Sequence, residues 1–498
     1  MNHDTIGPSE FAALGTFIRT SLPDSVPPTR TTIPEPHCST MYPNLVKRIL
    51  YPAHERLVNR PTFACLAELE KTQWLSREAI ERLQMDKLRA LLQTAHEHSP
   101  WHAERIRASG IDLTTGRNLT FDDLHRLPTM NKADASANRD RIVWRDVPGG
   151  AFRYNTGGSS GQPLIFYFGR KRQAADAASR MRARRWWNVD VGDPEVFLWG
   201  APVELNKTDL VKKIRDRLFN QLLLNAFDMS ESRMGDYLKV IQSFNPACIY
   251  GYASSLSLLA SYAKSRNRIP KLPRLKVVCT TGEPLFPQQR ALIEEVFEKP
   301  VSNEYGCRDG GLIALESPER QMVVNSESLI VEVLDDNGMA VALGEMGEVV
   351  ITNLCSDAQP FIRYRTGDMA RQTDDLCRTG RGLHVIAEIM GRATDFVIRS
   401  DGTIMHALAL IYVLRAIEGV QEFKIVQLST NRMEVTVVPS AGWQESSKDE
   451  IVGQLKNRMG RDVAIEIDVV DKIPPEASGK YRYVVSHVPL PGRLDIRS

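Results

Sequence analysis

The sequence predicts an α/β protein in two parts. A large N-terminal α/β domain built on more than one sheet is expected over residues 42–390, and a small, mobile α+β C-terminal domain over 391–498. Three observations lead there. Between residue 152 and about 350, short β-rich runs alternate with amphipathic helical runs, the pattern of strands joined by crossovers in a largely parallel sheet. After residue 329 the alternation gives way to two apolar runs separated by Asp335-Asp336-Asn337-Gly338, a turn signature that joins antiparallel strands. The last hundred or so residues then carry hairpin, helix and strand signals sufficient for a module of their own. A chain of 498 residues is in any case too long for one ordinary domain.

The elements follow in order. Residues 1–41, rich in Pro, Ser and Thr and without an apolar core, read as a loosely ordered tail. From 42 to about 141 the pattern is helical, with Leu83, Leu88, Leu91 and Leu92 at helix-like spacing. β-favouring runs at 152–154 and 164–168 flank the Gly/Ser-rich stretch Thr156-Gly157-Gly158-Ser159-Ser160-Gly161-Gln162-Pro163. Strands are predicted at 196–199, 247–250, 275–280 and 301–305, with helices at 235–244, 254–264 and 287–297 between them, and antiparallel strands at 329–334 and 347–352. In the last part, 396–399 and 403–405 flank the hairpin turn Ser400-Asp401-Gly402. Leu410, Val413, Leu414 and Ile417 mark a helix stopped by Gly419. Strands follow at 423–428 and 433–438, a capping box at Ser447/Glu450 precedes a helix through Ile451, Leu455 and Met459, and a last strand covers 465–470.

Composition bounds the function. Hydrophobic residues at 42% and charged residues at 25% describe a soluble globular protein. A net charge of +2 gives no argument for nucleic acid, membrane or polyanion binding. The seven cysteines show no CxxC pair and no Cys/His zinc spacing, which reads as reduced thiols in a cytoplasmic protein. No apolar run approaches the length that spans a bilayer. The expected partners are small molecules, and the expected state is a monomer or homodimer.

Five segments carry chemistry, each with a plainer reading beside it. Glycines, hydroxyls and freed amides across Thr156–Gly161 suit a nest for phosphate oxygens, and equally a hairpin loop. Thr280-Thr281-Gly282-Glu283-Pro284 ends a strand, delivering polar groups to the carboxyl edge where α/β sheets bind ligands; an ordinary strand-to-helix loop reads the same. Glu304-Tyr305-Gly306-Cys307-Arg308-Asp309 offers a ring face, a site of close approach and a hard oxygen donor suited to Mg²⁺, or a solvated turn. Arg363-Tyr364-Arg365-Thr366-Gly367-Asp368 places one carboxylate after a Gly turn, able to accept from two adjacent hydroxyls. Gly391-Arg392-Ala393-Thr394-Asp395 is a hinge or a plain linker, and Lys480 after Ser478-Gly479 is a delivered cation or a solvated charge.

With these segments in this order, the chain resembles the acyl-adenylate-forming superfamily, and within it the phenylacetate–CoA ligase-like and capsular polysaccharide biosynthesis branch, from about residue 42 to 485. The resemblance implies an adenylation domain over 42–390 and a C-terminal lid domain carrying a catalytic lysine. It implies ATP, Mg²⁺ and coenzyme A as reactants and cofactors of an AMP-forming acid–thiol ligase. Thr156, Gly157, Gly158, Ser159, Ser160 and Gly161 would hold the β- and γ-phosphates. Gly282, Glu283 and Pro284 would line the adenine, with Tyr305 and Gly306 against it. Asp309 would hold Mg²⁺, Asp368 the ribose hydroxyls, and Arg392 would lie near phosphate or ribose. Lys480 would bridge the carboxylate and the α-phosphate, and Thr394 and Asp395 would form the hinge. Trp199, Tyr250, Gly251, Tyr252 and Ser254 are candidates for the acyl pocket, their aromatic rings suiting an aryl or otherwise flat acid.

Four positions depart from the family pattern. Gln162 replaces a lysine after the loop, and Arg308 stands where Thr or Ser is usual, restoring part of that charge as a candidate catalytic group. Asp309 replaces Glu, and Thr394 replaces the hinge Asp. The turn at 400–402 also lacks the glycine- and asparagine-containing form typical of coenzyme A ligases. An amine or hydroxyl acceptor, or a nucleotide-binding protein that has lost catalysis, therefore stands as the alternative.

Overall fold

The computed structural model describes residues 41–113, 118–155, 164–199, 214–226, 229, 231–283, 285–335, 337–391, 396–440, 442–473 and 484–488. Of the 1–41 tail only Met41 is among them, and it opens a helix. Helices then run through most of 41–142, the longest being Arg77–His98, whose Ser76 hydroxyl accepts from the Ala79 amide at the N-terminus. That helix buries Ile80, Leu88, Leu91 and Leu92, one face at helical spacing.

The strands β1 (Phe152–Asn155) and β2 (Ile165–Phe168), on either side of the Gly/Ser-rich stretch in the sequence, pair antiparallel. Among the described residues the largest sheet has eight strands. Its parallel part holds β3 (Glu195–Trp199), β4 (Gln221–Asn225), β5 (Cys248–Gly251), β6 (Val277–Thr281) and β7 (Val301–Cys307), in the spatial order β4-β3-β5-β6-β7. Helices Glu231–Phe244, Ala253–Ser265 and Pro287–Phe297 connect them, each packing its apolar stripe on the face that carries Val196, Leu198, Ile249 and Val278. Side chains alternate along a strand, so Cys248, Tyr250 and Cys279 point to the other face, against Trp187 and Val189 at the end of helix Arg170–Trp186. Strands β8 (Gly311–Glu316) and β9 (Met322–Val324) extend the sheet antiparallel beyond β7.

A second, antiparallel sheet contains β10 (Leu329–Leu334), β11 (Met346–Asn353) and β12 (Tyr364–Arg371), flanked by β14 (Ile389–Gly391), while β13 (Val385–Ile386) joins the edge of the large sheet at β9. Phe166, Ile313, Ile351, Phe361 and Tyr364 form one core that binds the two sheets and the β1–β2 hairpin together.

From residue 396 onward a separate core forms. Phe396–Ile398 and Ile404–His406 make the predicted hairpin. Strands Val420–Ser429, Arg432–Pro439, Ala464–Val469 and Val484–Ser486 make a four-stranded sheet covered by helices Leu408–Ala416 and Ser446–Met459. Its core draws on Val397, Leu410, Leu414, Ile425, Val435 and Leu455, all within this stretch. The helix begins at Ser446, and Ser447 accepts from the Gln444 amide rather than capping the helix with Glu450, because the helix starts two residues earlier than the Ser/Glu spacing suggested.

Gln427 locks the hairpin to this sheet. Fully buried, it accepts from the Ile398 amide (2.9 Å) and the Ser486 hydroxyl (2.8 Å), and its amide donates to the Ile398 carbonyl. Gln427→Leu keeps the volume but strands the Ile398 amide and carbonyl, a loss of about 2 kcal/mol. Differential scanning calorimetry is expected to show a melting point lower by several degrees, with faster hydrogen exchange at the Ile398 amide. An unchanged exchange rate there would rule out the clamp.

Candidate functional site

Two predicted segments lie at β6 and β7, and a third crosses from the other sheet. Gly282 follows β6 with a φ of +78°, open to glycine, and a Cβ there would meet the ring of Tyr252 at 3.1 Å and lie 3.7 Å from Trp199. Glu283 comes next in the chain, and Pro284 lies outside the described residues. On β7, Gly306 approaches the partner strand so closely that a Cβ would sit 2.6 Å from the Gly311 carbonyl oxygen. That approach coincides with an irregularity in the β7–β8 register, which re-aims the chain beside Tyr305.

Asp368 reaches the same place from β12. Inward residues on that strand alternate as Tyr364, Thr366, Asp368 and Ala370. Thr366 donates to the Val349 carbonyl at 2.9 Å and accepts from the Asp368 amide at 3.1 Å, while the Gly367 amide donates to Glu348. The start of the strand is fixed by Arg363, whose buried guanidinium pairs with Glu332 and donates to the carbonyls of His125 and Leu127. The result joins the two sheets: the Tyr305 hydroxyl donates to Asp368 Oδ2 at 3.1 Å, across 63 positions of sequence. Burial, and then the nearby Asp368 carboxylate, push the Tyr305 hydroxyl well above its ordinary range, so it remains a donor.

Asp309 is nearly buried, and its Oδ2 accepts from the Tyr364 hydroxyl. Its other oxygen has no hydrogen-bond donor among the described residues. Arg172, stacked 4.0 Å over Phe168, donates to the Asp309 carbonyl and so fixes the turn. No group of three or more His, Cys, Asp or Glu among the described residues is arranged to hold a metal ion. One oriented hard carboxylate with a free oxygen nevertheless fits Mg²⁺, which keeps waters and takes most of its ligands from substrate phosphates. Arg308 is exposed, and its Nη1 donates at 3.0 Å to the carbonyl of Asn155, the residue immediately before Thr156. Its charge therefore lies beside the last described residue before Thr156. Thr156–Gly161, Arg392, Thr394, Asp395 and Lys480 lie outside the described residues.

The acyl-pocket candidates also gather. Trp199 at the end of β3 stacks on Tyr252 (4.3 Å, 17°) and more loosely on Tyr250 (5.7 Å, 24°), and Gly251 packs against Leu198. Ser254 lies in the first turn of the helix that follows.

Sequence reasoning missed the polar frame behind them. Glu304 accepts from Arg180 Nε and Nη2 at 3.0 and 3.1 Å, from the Tyr250 hydroxyl at 2.6 Å and from Thr281 at 3.1 Å. Burial raises the Glu304 carboxyl, but the Arg180 guanidinium and these hydrogen bonds hold it below the ordinary carboxylate range, so it stays charged. The available signal was Arg172, Asp176, Arg180 and Arg184 at four-residue intervals, one charged stripe on an otherwise buried helix.

A profile of the CapK C-terminal domain matches residues 397–487. Over 413 residues the chain is 23% identical to protein CapK of Staphylococcus aureus, covering 82% of this chain and 89% of that one. Over 460 residues it is 24% identical to a phenylacetate–coenzyme A ligase of Thermus thermophilus, covering 82% and 97%. Among solved structures, 2-hydroxyisobutyryl-CoA ligase with 2-HIB-AMP and CoA in its thioesterification state aligns with a TM-score of 0.58 at 21% identity, over 84% of this chain and 91% of that chain. The mixed α/β architecture is thus that of the adenylate-forming ligases, and among the described residues no helix is long and apolar enough to cross a membrane.

Proposed function

We propose that this chain, a homologue of CapK and the phenylacetate–coenzyme A ligases with the acyl-adenylate-forming fold, is an ATP-dependent, AMP-forming acid–coenzyme A ligase acting on an aryl or small organic acid. The observation that carries this reading is the Tyr305–Asp368 junction, which unites the ends of two sheets beside Gly282. A substrate carboxylate oxygen attacks the α-phosphorus of ATP and pyrophosphate leaves. The coenzyme A thiol then attacks the acyl carbon and AMP leaves.

Asp368 accepts from the ribose hydroxyls, and the ring of Tyr305 presents a face to the adenine. Arg308 and Thr156–Gly161 meet the phosphates, and Lys480 offsets the charge that builds as two anions approach. Mg²⁺, held by Asp309, would neutralise further phosphate charge when bound. Relatives named as coenzyme A ligases, and one solved with an acyl-adenylate and CoA, support the same acceptor here.

Hydroxylamine trapping across a carboxylate panel tests the first step, and mass spectrometry of products formed with coenzyme A tests the second. The expected outcome is hydroxamate formation with at least one acid and a thioester of that acid. ATP binding with no hydroxamate from any acid would favour a protein that has lost catalysis. An amide or ester without thioester would overturn the acceptor.

A further inference from the structure

Beside Trp199 lies a cavity of about 310 Å³ whose two walls differ in character. One wall is flat and apolar. Parallel register sets Phe197 of β3 between Leu223 of β4 and Tyr250 of β5, all on the same face of the sheet, with Trp199 at the strand end. The other wall is polar, made by Arg180, Arg215, Asp216 and Gln221. Trp199 lines this cavity and also lies 3.7 Å from where a Cβ at Gly282 would sit, so the cavity and the place proposed for adenylate formation share one residue.

The two guanidiniums are held in place but not saturated. Arg180 uses Nε and Nη2 on Glu304, and Arg215 uses Nε and Nη2 on Oδ1 of Asp216 at 3.0 and 2.7 Å. Among the described residues, Nη1 of each has no acceptor. Their side chains are 41% and 37% exposed, and both line the cavity. Arg184 is also near, over the Tyr250 ring and paired with Glu195, and each of these three arginines is balanced by one carboxylate. The wall is therefore donor-rich without a large net field. A purely apolar ring would cover the aromatic wall yet displace water from both guanidiniums without replacing its hydrogen bonds. A ring bearing an acceptor would satisfy both walls.

We propose that the substrate acid is planar and carries a second hydrogen-bond acceptor remote from its carboxylate, and that Arg215, with Arg180, selects for that group. This rests on the ligase reading above and names its substrate class. Isothermal titration of the full chain without ATP, using benzoate, 4-hydroxybenzoate and terephthalate, separates the two claims, because it reads binding whether or not adenylation follows.

The hydroxyl- or carboxyl-bearing acid is expected to bind about tenfold more tightly than benzoate. Tighter 4-hydroxybenzoate identifies a neutral acceptor, and tighter terephthalate an anionic one. Arg215→Met is expected to abolish the preference while changing benzoate binding less than about twofold. A preference found without any hydroxamate in the trapping assay upholds the acid class and overturns the ligase reading. Benzoate binding as well as the others, Arg215→Met weakening all three alike, or no measurable binding of any of them overturns the proposal.

Discussion

Replacement of Asp368 by Asn is expected to lower kcat/KM for ATP by roughly a hundredfold in carboxylate-dependent ATP–pyrophosphate exchange, with little change in KM for the acid. An ionised carboxylate accepting from two ribose hydroxyls makes two charge-assisted hydrogen bonds, together about 3 kcal/mol, and each 1.4 kcal/mol is tenfold. An amide keeps the shape but lacks the charge and offers only one acceptor oxygen. Asp368 is suited to this loss being local. It is held from its own backbone by Thr366, and the strand is held by Arg363, so neither anchor depends on the carboxylate.

The control is Tyr305→Phe. It removes the hydroxyl that Asp368 accepts while keeping the ring, and about 1 kcal/mol, or roughly fivefold, is expected. Thermal melts of both variants within about 3 °C of the parent would assign the losses to the site. An Asp368→Asn enzyme with unchanged KM for ATP would remove this carboxylate from nucleotide binding.

The parts of this site legible in the sequence are those written in contiguous residues. Helix Pro287–Phe297 matched its predicted bounds because proline marks its first turn and its apolar spacing is regular. Gly282, Tyr305 and Asp368 stand out as candidates because each lies in a short polar run; Gly282 follows β6, while Tyr305 and Asp368 lie within β7 and β12. Strand Gly311–Glu316 was not foreseen. It is buried at every position, so it shows no alternation from which to read a strand, and it follows a turn that gave the stretch another meaning. Edge strand Gln221–Asn225 was missed because Leu222, Leu223 and Leu224 favour helix as readily as strand. The frame of Arg180 and Glu304 was beyond reach for a different reason. Its partners are 124 residues apart, and only the packing of a helix on the sheet brings them within 3.1 Å. Charge on a helix reads as solvated until a tertiary partner is known.

Lys480→Ala is expected to reduce pyrophosphate exchange by a hundredfold or more while leaving thioester formation from supplied acyl-adenylate within about threefold. The asymmetry follows from where charge changes. Adenylation brings a carboxylate against the anionic α-phosphate, and a preorganised cation there has a value like that of one charge-stabilising donor. Thioester formation expels AMP, and no two anions need to be brought together.

Four residues after Lys480, strand Val484–Ser486 pairs in parallel with Val420–Ser429, with Ile425 opposite Val484, and Ser486 is tied through Gln427 to the Ile398 hairpin. Residues 484–486 are thus tied to the same sheet that holds the hairpin. Gln427→Leu loosens that anchor without touching charge, and should lower both half-reactions by similar, small factors. Equal losses in both half-reactions for Lys480→Ala would instead make the lysine a structural cation, and the barrier of the first step would then fall to Arg308, the phosphate loop and Mg²⁺ at Asp309.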